Sequence, residues 1–328
     1  MTTSTPEIER VLAAWGRSGA RVVALDSEAG DRWRVEDGEQ AALLRRYADD
    51  RAADALAFQH DLLAFLAERA WPVPAPIATA AGGTAVEADG ARWSLTPLLP
   101  GTPPPDESIF LQRRGALLAL IHADLREWDG TPPPVATRRV DDFDGAVQAH
   151  GLASFEALLA RVQVVDAMRA NILAVLRMRI EEQLAAYRYG ELPTLPLWGG
   201  CSSQHVLFDG NDVTGLIDFD HVRADARAVD VAESILADTR SIGWRIIRWV
   251  AGYAAHAQPP LSAQEADLVP VLMAALMLRR VAATLAEAHA GERLDADALA
   301  CIDEAMTVEA NEDDLREVIR TAARIAPL

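Results

Sequence analysis

The first hundred residues alternate between two hydrophobic patterns. Apolar residues at helical spacing follow Thr5-Pro6-Glu7, which supplies an N-cap hydroxyl, a proline for the first turn and an acid. A second helical pattern runs through Phe58 and Leu66 and must end before Pro72, because proline lacks an amide donor. The remaining pattern is of strand length and is punctuated by Gly and Asp turns. It predicts strands at 21–26, 33–36, 41–47, 84–88 and 92–99. We therefore expect a small antiparallel sheet with one helix between its strands.

The rest of the chain has a mostly helical pattern. It follows the proline-rich segment 100–105, which can continue neither a helix nor a strand. Ser262 with Glu265 predicts a capping box that opens the last long helix. Long Ala/Leu-rich segments predict helices over 117–125, 155–187 and 268–288. Nested among them, two short apolar runs predict a hairpin with strands at 205–208 and 213–218.

Composition and charge exclude several classes of function. The 328 residues carry a formal net charge of −18, which argues against a nucleic-acid partner because phosphate binding needs basic surface. No signal peptide is visible, and the most apolar later stretch, 268–278, contains Pro270 and is too short to span a bilayer. Cys201 and Cys301 imply neither a metal site nor a disulfide framework. We therefore expect a cytoplasmic protein without a membrane partner. The chain contains no lysine, so no mechanism can use a lysine amine.

Residues 198–234 carry the candidate chemistry. They read WGGCSSQHVLFDGNDVTGLIDFDHVRADARAVDVAES. This segment resembles the catalytic segment of the aminoglycoside phosphotransferase and choline kinase family. The family pattern is His-Gly-Asp, four residues, Asn, an apolar strand, a turn, Ile-Asp-Phe/Trp-Asp/Glu and a later Asp-x-Ala. LLRRY at 43–47, TPLLPG at 96–101 and ALIHADL at 119–125 also occur in the expected order.

The resemblance implies a two-lobed, protein-kinase-like α/β (α+β) fold. The N-lobe, 1–101, would hold the antiparallel sheet and cover a nucleotide. The C-lobe, 102–328, would be helical and would contain the catalytic-loop hairpin 198–220. The implied activity is ATP-dependent phosphotransfer to a small hydroxylated or amine-bearing molecule.

The same resemblance assigns residues to an ATP (or GTP) and Mg²⁺ site. Asp218 aligns with the aspartate that holds magnesium on the nucleotide phosphates, and magnesium binds through one or two carboxylates plus phosphate oxygens. Arg45 aligns with the phosphate-binding lysine, and Gln59 aligns with that lysine's glutamate partner, so the usual ion pair is expected to be missing. Leu98, in TPLLPG, is placed with the nucleotide-binding residues.

Two more residues, Ser27 and Gly30, belong to the turn that would cover the phosphates. A single glycine makes this turn a weak phosphate cradle.

The catalytic loop departs from the family pattern. Gly200 aligns with the catalytic aspartate and Trp198 with the histidine beside it. His205 aligns with the asparagine that helps hold magnesium, and an imidazole suits zinc or copper better than magnesium. A positioned acid or base contributes roughly 10²–10⁴ in rate. Asp220, which a strand would present on the same face as Asp218, is our candidate replacement base.

Three functions remain open on the sequence. The first, which we prefer, is a degenerate kinase (pseudokinase) that binds a nucleotide or small ligand with little phosphotransfer. The second is an active small-molecule O-phosphotransferase with a non-standard catalytic loop. The third is metal-assisted chemistry in which His205, Asp218, Asp220 and His221 converge on a transition metal. The expected partner in each case is a small-molecule ligand. The acidic charge can attract a cationic ligand or simply keep the protein in solution, and we favour the second interpretation of the charge.

Overall fold

The computed structural model describes residues 6–25, 31–38, 40–47, 53–105, 107–238 and 243–324. Contacts along the chain divide it into two compact units. The sheet unit comprises Met1–Pro104, Trp128–Ala136 and Gln204–Asp220. The helical unit comprises Pro105–Glu127, Thr137–Ser203 and His221–Leu328. The lobes predicted at 1–101 and 102–328 stay a prediction.

The described residues form nine strands and eleven α-helices, numbered here along the chain. The strands are β1 (Arg21–Ala24), β2 (Arg32–Glu36), β3 (Ala41–Tyr47), β4 (Val86–Ala88), β5 (Ala91–Pro97), β6 (Leu195–Leu197), β7 (Val206–Asp209), β8 (Asp212–Leu216) and β9 (Arg223–Asp225). The helices are α1 (Pro6–Ala13), α2 (Ala53–Glu68), α3 (Ser108–Leu125), α4 (Phe143–Gln148), α5 (Phe155–Val165), α6 (Ala167–Ala186), α7 (Arg227–Asp238), α8 (Gly243–His256), α9 (Ala263–Ala290), α10 (Cys301–Ala310) and α11 (Glu312–Arg324).

The sheet unit is built on an antiparallel sheet with the strand order β1-β2-β3-β5-β4. One face of the sheet packs against α1, and the resulting core contains Leu12, Val35, Leu44 and Trp93. Helix α2 follows β3 in the chain and buries a row of leucines that includes Leu62. The antiparallel sheet expected from the sequence is therefore confirmed, and β3 has its predicted limits.

The hairpin β7–β8 also belongs to the sheet unit. Its backbone is hydrogen-bonded to two other segments of that unit, through Thr102 with Phe208 and through the Leu216 amide, which donates to the Pro72 carbonyl at 2.8 Å. Strand β8 ends at Leu216, although the sequence predicts a strand to residue 218. The reason lies at Asp218, whose φ of +62° is incompatible with an extended strand.

The helical unit is arranged around the long helix α9, which contacts α4, α5, α6, α7, α10 and α11. The predicted capping box is present, because the Ser262 hydroxyl accepts from the Glu265 amide and the Glu265 carboxylate accepts from the Ser262 amide. The single helix predicted over 155–187 is wrong. Asp166 is extended there (φ −151°) and caps α6 by accepting from two of its first amides, which ends α5 and starts a new helix.

One described helix, α9, is long and apolar enough to cross a membrane by length and composition, with a mean hydropathy of 1.7. Within the protein, 72% of that apolar stretch is buried. A buried helix at the centre of a unit has the same composition, so the pattern by itself indicates no membrane span.

Candidate functional site

A cavity of about 350 Å³ in the sheet unit gathers most of the residues that the sequence assigned to a site. We call it the sheet cavity. The assigned residues on its wall are Arg45, Gln59, Leu98, His205, Asp218 and Asp220. Ser27 and Gly30 lie outside the described residues. The geometry brings the six together, and their roles stay predictions.

Strand β3 positions Arg45 through the two-residue period of its side chains. Leu44 is fully buried in the sheet core, whereas its neighbours Leu43 and Arg45 line the sheet cavity together with Tyr47. Because successive side chains of a strand point to opposite faces, the LLRRY sequence presents Arg45 and Tyr47 to the same side. The guanidinium of Arg45 lies over the Tyr47 ring, 4.7 Å from its centroid.

Arg45 forms an ion pair with Asp220. Its Nη1 atom lies 2.6 Å from Asp220 Oδ1 and 2.5 Å from Oδ2, and both side chains are largely buried. Gln59 Nε2 donates to the same Oδ1 at 3.4 Å. Burial alone would lower the pKa of Arg45, but the charge and hydrogen bond of Asp220, together with the charges of Tyr47 and Asp31, outweigh it, and the pKa is raised. Arg45 is therefore paired with Asp220, which lies outside α2, and Gln59 on α2 contributes only a hydrogen bond to the same carboxylate.

His205 and Asp218 meet at the open end of the β7–β8 hairpin. The Ile217 amide donates to the His205 carbonyl at 2.9 Å, which holds the two ends of the hairpin together. His205 Nε2 then lies 3.0 Å from Asp218 Oδ2, with the side chains 24% and 35% exposed. The left-handed φ of Asp218 is uncommon for a residue with a side chain, and such backbones often occur at functional sites.

The donor set at this position suits a cation that is already bound to phosphate. Among the described residues, no group of three or more His, Cys, Asp and Glu side chains is arranged to hold a metal ion. The predicted convergence of His205, Asp218, Asp220 and His221 is thus wrong, because Asp220 is turned to Arg45. A nucleotide-bound divalent cation needs only one or two protein ligands, since phosphate oxygens and water fill its other positions. Asp218 with His205 meets that requirement.

In the helical unit, Asp230 holds the loop that aligns with the catalytic loop of the family. Its carboxylate is fully buried and accepts from the backbone amides of Trp198 (3.0 Å), Gly199 (2.9 Å) and Gly200 (3.0 Å). His122 Nε2 lies 3.1 Å from the same carboxylate. Burial would raise the pKa of Asp230, but the hydrogen bond and charge of His122, with further donors, outweigh it and lower the pKa.

The backbone at Gly199 and Gly200 is one that residues with side chains rarely adopt. Their φ angles are +96° and +114°. A Cβ atom on Gly200 would lie 3.3 Å from Glu233 Cγ, and one on Gly199 would lie 2.7 Å from His221 Cβ. The loop is therefore shaped around glycine, and an aspartate at position 200 does not fit its present conformation.

Glu233 is not among the residues that the sequence predicts for the site. Its carboxyl carbon lies 3.8 Å from the place of a Cβ on Gly200, and its Oε2 is 2.5 Å from Arg223 Nη2. The only signal in the sequence is its position three residues after Asp230, which puts both on one side of α7.

Cys201, beside this loop, is not an available nucleophile. The residue is fully buried and its amide donates to the Ser234 hydroxyl at 2.9 Å. Burial raises the pKa of its thiol strongly, so the reactive thiolate is disfavoured.

Comparison with known proteins identifies the family. Residues 21–268 match the profile of the phosphotransferase enzyme family. Protein sll1119 of Synechocystis sp., which has no assigned function, is 29% identical over 233 residues. That match covers 68% of this chain, and the chain spans 61% of the length of that relative.

Solved structures of small-molecule kinases share the fold. A microcompartment-associated aminopropanol kinase superposes with a TM-score of 0.71 at 21% identity, covering 94% of this chain and 97% of the kinase. The amicoumacin kinase hAmiN, solved in complex with AMP-PNP, Ca²⁺ and Ami, superposes with a TM-score of 0.66 at 12% identity, covering 94% of this chain and 90% of that kinase. The predicted kinase-like α/β fold, with an antiparallel N-terminal sheet and a mostly helical remainder, is confirmed.

Proposed function

The chain belongs to the phosphotransferase enzyme family, and from that membership we propose that its sheet cavity binds ATP or GTP with a divalent cation. We further propose that the protein transfers the phosphoryl group slowly or not at all. It would thus act as a degenerate kinase, which still binds a nucleotide but has lost most of its catalytic activity. Membership is a statement about descent and fold, so the substrate and activity have to come from the site.

The observation that carries this proposal is that one cavity contains a fixed cation, a cation ligand and an apolar wall. Arg45 offers a guanidinium to phosphate, and Asp218 offers a carboxylate to a metal. Leu63, Leu99 and Leu207 line the same cavity and give a base an apolar surface. A volume of about 350 Å³ lies within the range of small-molecule sites. The nucleotide and Ca²⁺ named for the amicoumacin kinase support the same type of ligand.

Asp220 takes the part of a positioning residue in this proposal. Both of its oxygens lie against Arg45 Nη1, so its carboxylate fixes the guanidinium at the cavity wall. Proton transfer would require Asp220 to leave that pair. We therefore assign it to orienting Arg45 rather than to the base role expected from the sequence.

Weak phosphotransfer is expected from the loop of the helical unit that contains Gly200. Gly200 has no side chain, and its backbone conformation disfavours one. Loss of a general base lowers the rate by roughly 10²–10⁴, although phosphoryl transfer depends mainly on positioning and electrostatics. Measured turnover far below that of the family's kinases is the expected consequence.

The test is calorimetric titration with AMP-PNP, with and without Mg²⁺. We expect saturable, cation-dependent binding that Asp218→Asn and Arg45→Gln each weaken about tenfold or more, since each removes a charged contact. Arg34→Gln is the matched control, because Arg34 is exposed on β2 and does not line the cavity. Binding that is unchanged in both cavity variants would refute the proposal.

A second candidate function is an active small-molecule phosphotransferase, and Glu233 is the observation that favours it. Its carboxylate lies beside the position from which the family's aspartate would project. The aminopropanol kinase and the net charge of −18 both point to amino alcohols as the substrates to screen.

Turnover with ATP across amino alcohols and sugars separates the two candidates. If robust turnover exists and Glu233→Gln abolishes it, the second candidate is correct. Glu317→Gln is the control, because Glu317 is exposed on α11. Turnover near the buffer rate supports the degenerate kinase.

A further inference from the structure

We propose that His205 makes the cation site of the sheet cavity prefer a first-row transition ion, such as Zn²⁺ or Co²⁺, over Mg²⁺. This inference rests on the nucleotide binding proposed above and specifies the cation that accompanies the nucleotide. It follows from the distance between the His205 and Asp218 side chains, from the backbone that holds them and from their chemistry as ligands.

The spacing of His205 and Asp218 is that of two ligands of one ion. Adjacent ligand atoms that bind an octahedral metal ion at about 2.1 Å each, at right angles to one another, are about 3.0 Å apart. His205 Nε2 and Asp218 Oδ2 are 3.0 Å apart. A metal ion can therefore bind both atoms without any change in their separation.

The backbone that carries His205 and Asp218 holds their side chains in a position suited to chelation. The hydrogen bond from the Ile217 amide to the His205 carbonyl fixes the backbone that carries them. Asp218 stands in a left-handed conformation directly after Ile217, and this conformation directs its carboxylate to His205 instead of along the strand. Both side chains remain partly exposed at the cavity wall, so an ion that enters with a nucleotide can reach them.

The chemistry of the pair sets the preference. Mg²⁺ binds oxygen ligands and dehydrates reluctantly, whereas an imidazole nitrogen suits zinc and its neighbours. Asp218 and the phosphates supply oxygens that either class of ion accepts, so His205 is the ligand that discriminates between them.

The experiment compares AMP-PNP affinity with Mg²⁺ and with Co²⁺, in the native protein and in His205→Asn. Each cation is supplied at a concentration that saturates the nucleotide, so that only the complex is titrated. The native protein is expected to bind the Co²⁺ complex about tenfold more tightly than the Mg²⁺ complex. In His205→Asn the ratio should approach one. His150→Asn, which changes a histidine of the helical unit, should leave the ratio at its native value.

Absorption of the bound Co²⁺ provides a second measurement that does not depend on activity. The d–d bands should change when the native protein binds the Co²⁺ nucleotide complex, and the change should be smaller in His205→Asn, which lacks the imidazole nitrogen and supplies only the carboxylate of Asp218. His205→Gln repeats the test if the asparagine variant fails to fold, as judged by its urea unfolding midpoint.

The outcomes distinguish this inference from the proposed function. Equal affinity for both complexes in the native protein, with no effect of His205→Asn, would mean that His205 and Asp218 form only a hydrogen-bonded pair. That result overturns the cation preference and leaves nucleotide binding intact. Absence of nucleotide binding with either cation overturns both.

Discussion

Replacing Gly200 with aspartate restores the family's catalytic residue in sequence, and we predict that it damages the protein instead of activating it. The φ angle of +114° disfavours any side chain, at about 1–3 kcal/mol. The new Cβ would lie 3.3 Å from Glu233 Cγ, so Glu233 must also give way. The new carboxylate would lie beside that of Glu233, which adds like-charge repulsion of about 1 kcal/mol. We expect Gly200→Asp to lower the free energy of unfolding by about 2–4 kcal/mol.

Urea unfolding followed by tryptophan fluorescence measures this loss. Gly151→Asp is the matched control, because Gly151 has a φ of +84° but nothing within 4 Å of its added Cβ. The control should lose only about 1–2 kcal/mol from backbone strain. Gly200→Asp should lose more unfolding free energy than this control, and the difference should be about 1 kcal/mol smaller when Glu233 is replaced by glutamine.

Three results would contradict this prediction. If Gly200→Asp is as stable as the native protein, the loop does not have the conformation described above. If the same variant also gains rapid phosphotransfer, the missing aspartate alone accounts for the weak phosphotransfer that we propose, and the glycine-shaped loop does not. If Gly200→Asp and Gly151→Asp lose the same unfolding free energy, the contact with Glu233 does not destabilise the variant.

Further predictions concern the buried Asp230, the two cysteines and the ion pair between Arg45 and Asp220. Asp230→Ala should destabilise the protein by about 3–5 kcal/mol, because three buried amides lose their acceptor. The pKa of Asp230 is held below its ordinary 3.8, so its stabilising effect should be complete above about pH 4 and be lost as the pH falls below 3.8, in acid titration of the unfolding midpoint. Native Cys301 should react with a thiol reagent before the buried Cys201, which should react only on unfolding. A double-mutant cycle on Arg45 and Asp220 should give a coupling of about 1–3 kcal/mol.

The parts of the fold that sequence predicts well are those fixed by local interactions. Strand β3 has its predicted limits of 41 and 47, because alternating burial along LLRRY is a property of the strand itself. The capping box of α9 joins residues three apart, Ser262 and Glu265, and needs no tertiary information. The break at Asp166 was also local, but the Ala/Leu-rich pattern on both sides concealed it.

The candidate site could be predicted only in part, because its residues are distant in sequence. The family resemblance placed Arg45 and Asp218 on one site, and both line the sheet cavity. It did not predict the pairing of Arg45 with Asp220, which joins residues 175 positions apart. It did not predict the nearness of Glu233 to Gly200 either, because that depends on how α7 packs beside the loop. Spacing along the chain carries no signal for such contacts.

A crystal structure of the protein grown with AMP-PNP and Co²⁺ would locate both the nucleotide and its cation. We expect nucleotide density in the sheet cavity and an anomalous cobalt peak within about 2.3 Å of both His205 Nε2 and Asp218 Oδ2. A nucleotide bound away from Arg45 and Asp218, or an empty cavity in crystals grown at saturating nucleotide, would contradict this expectation.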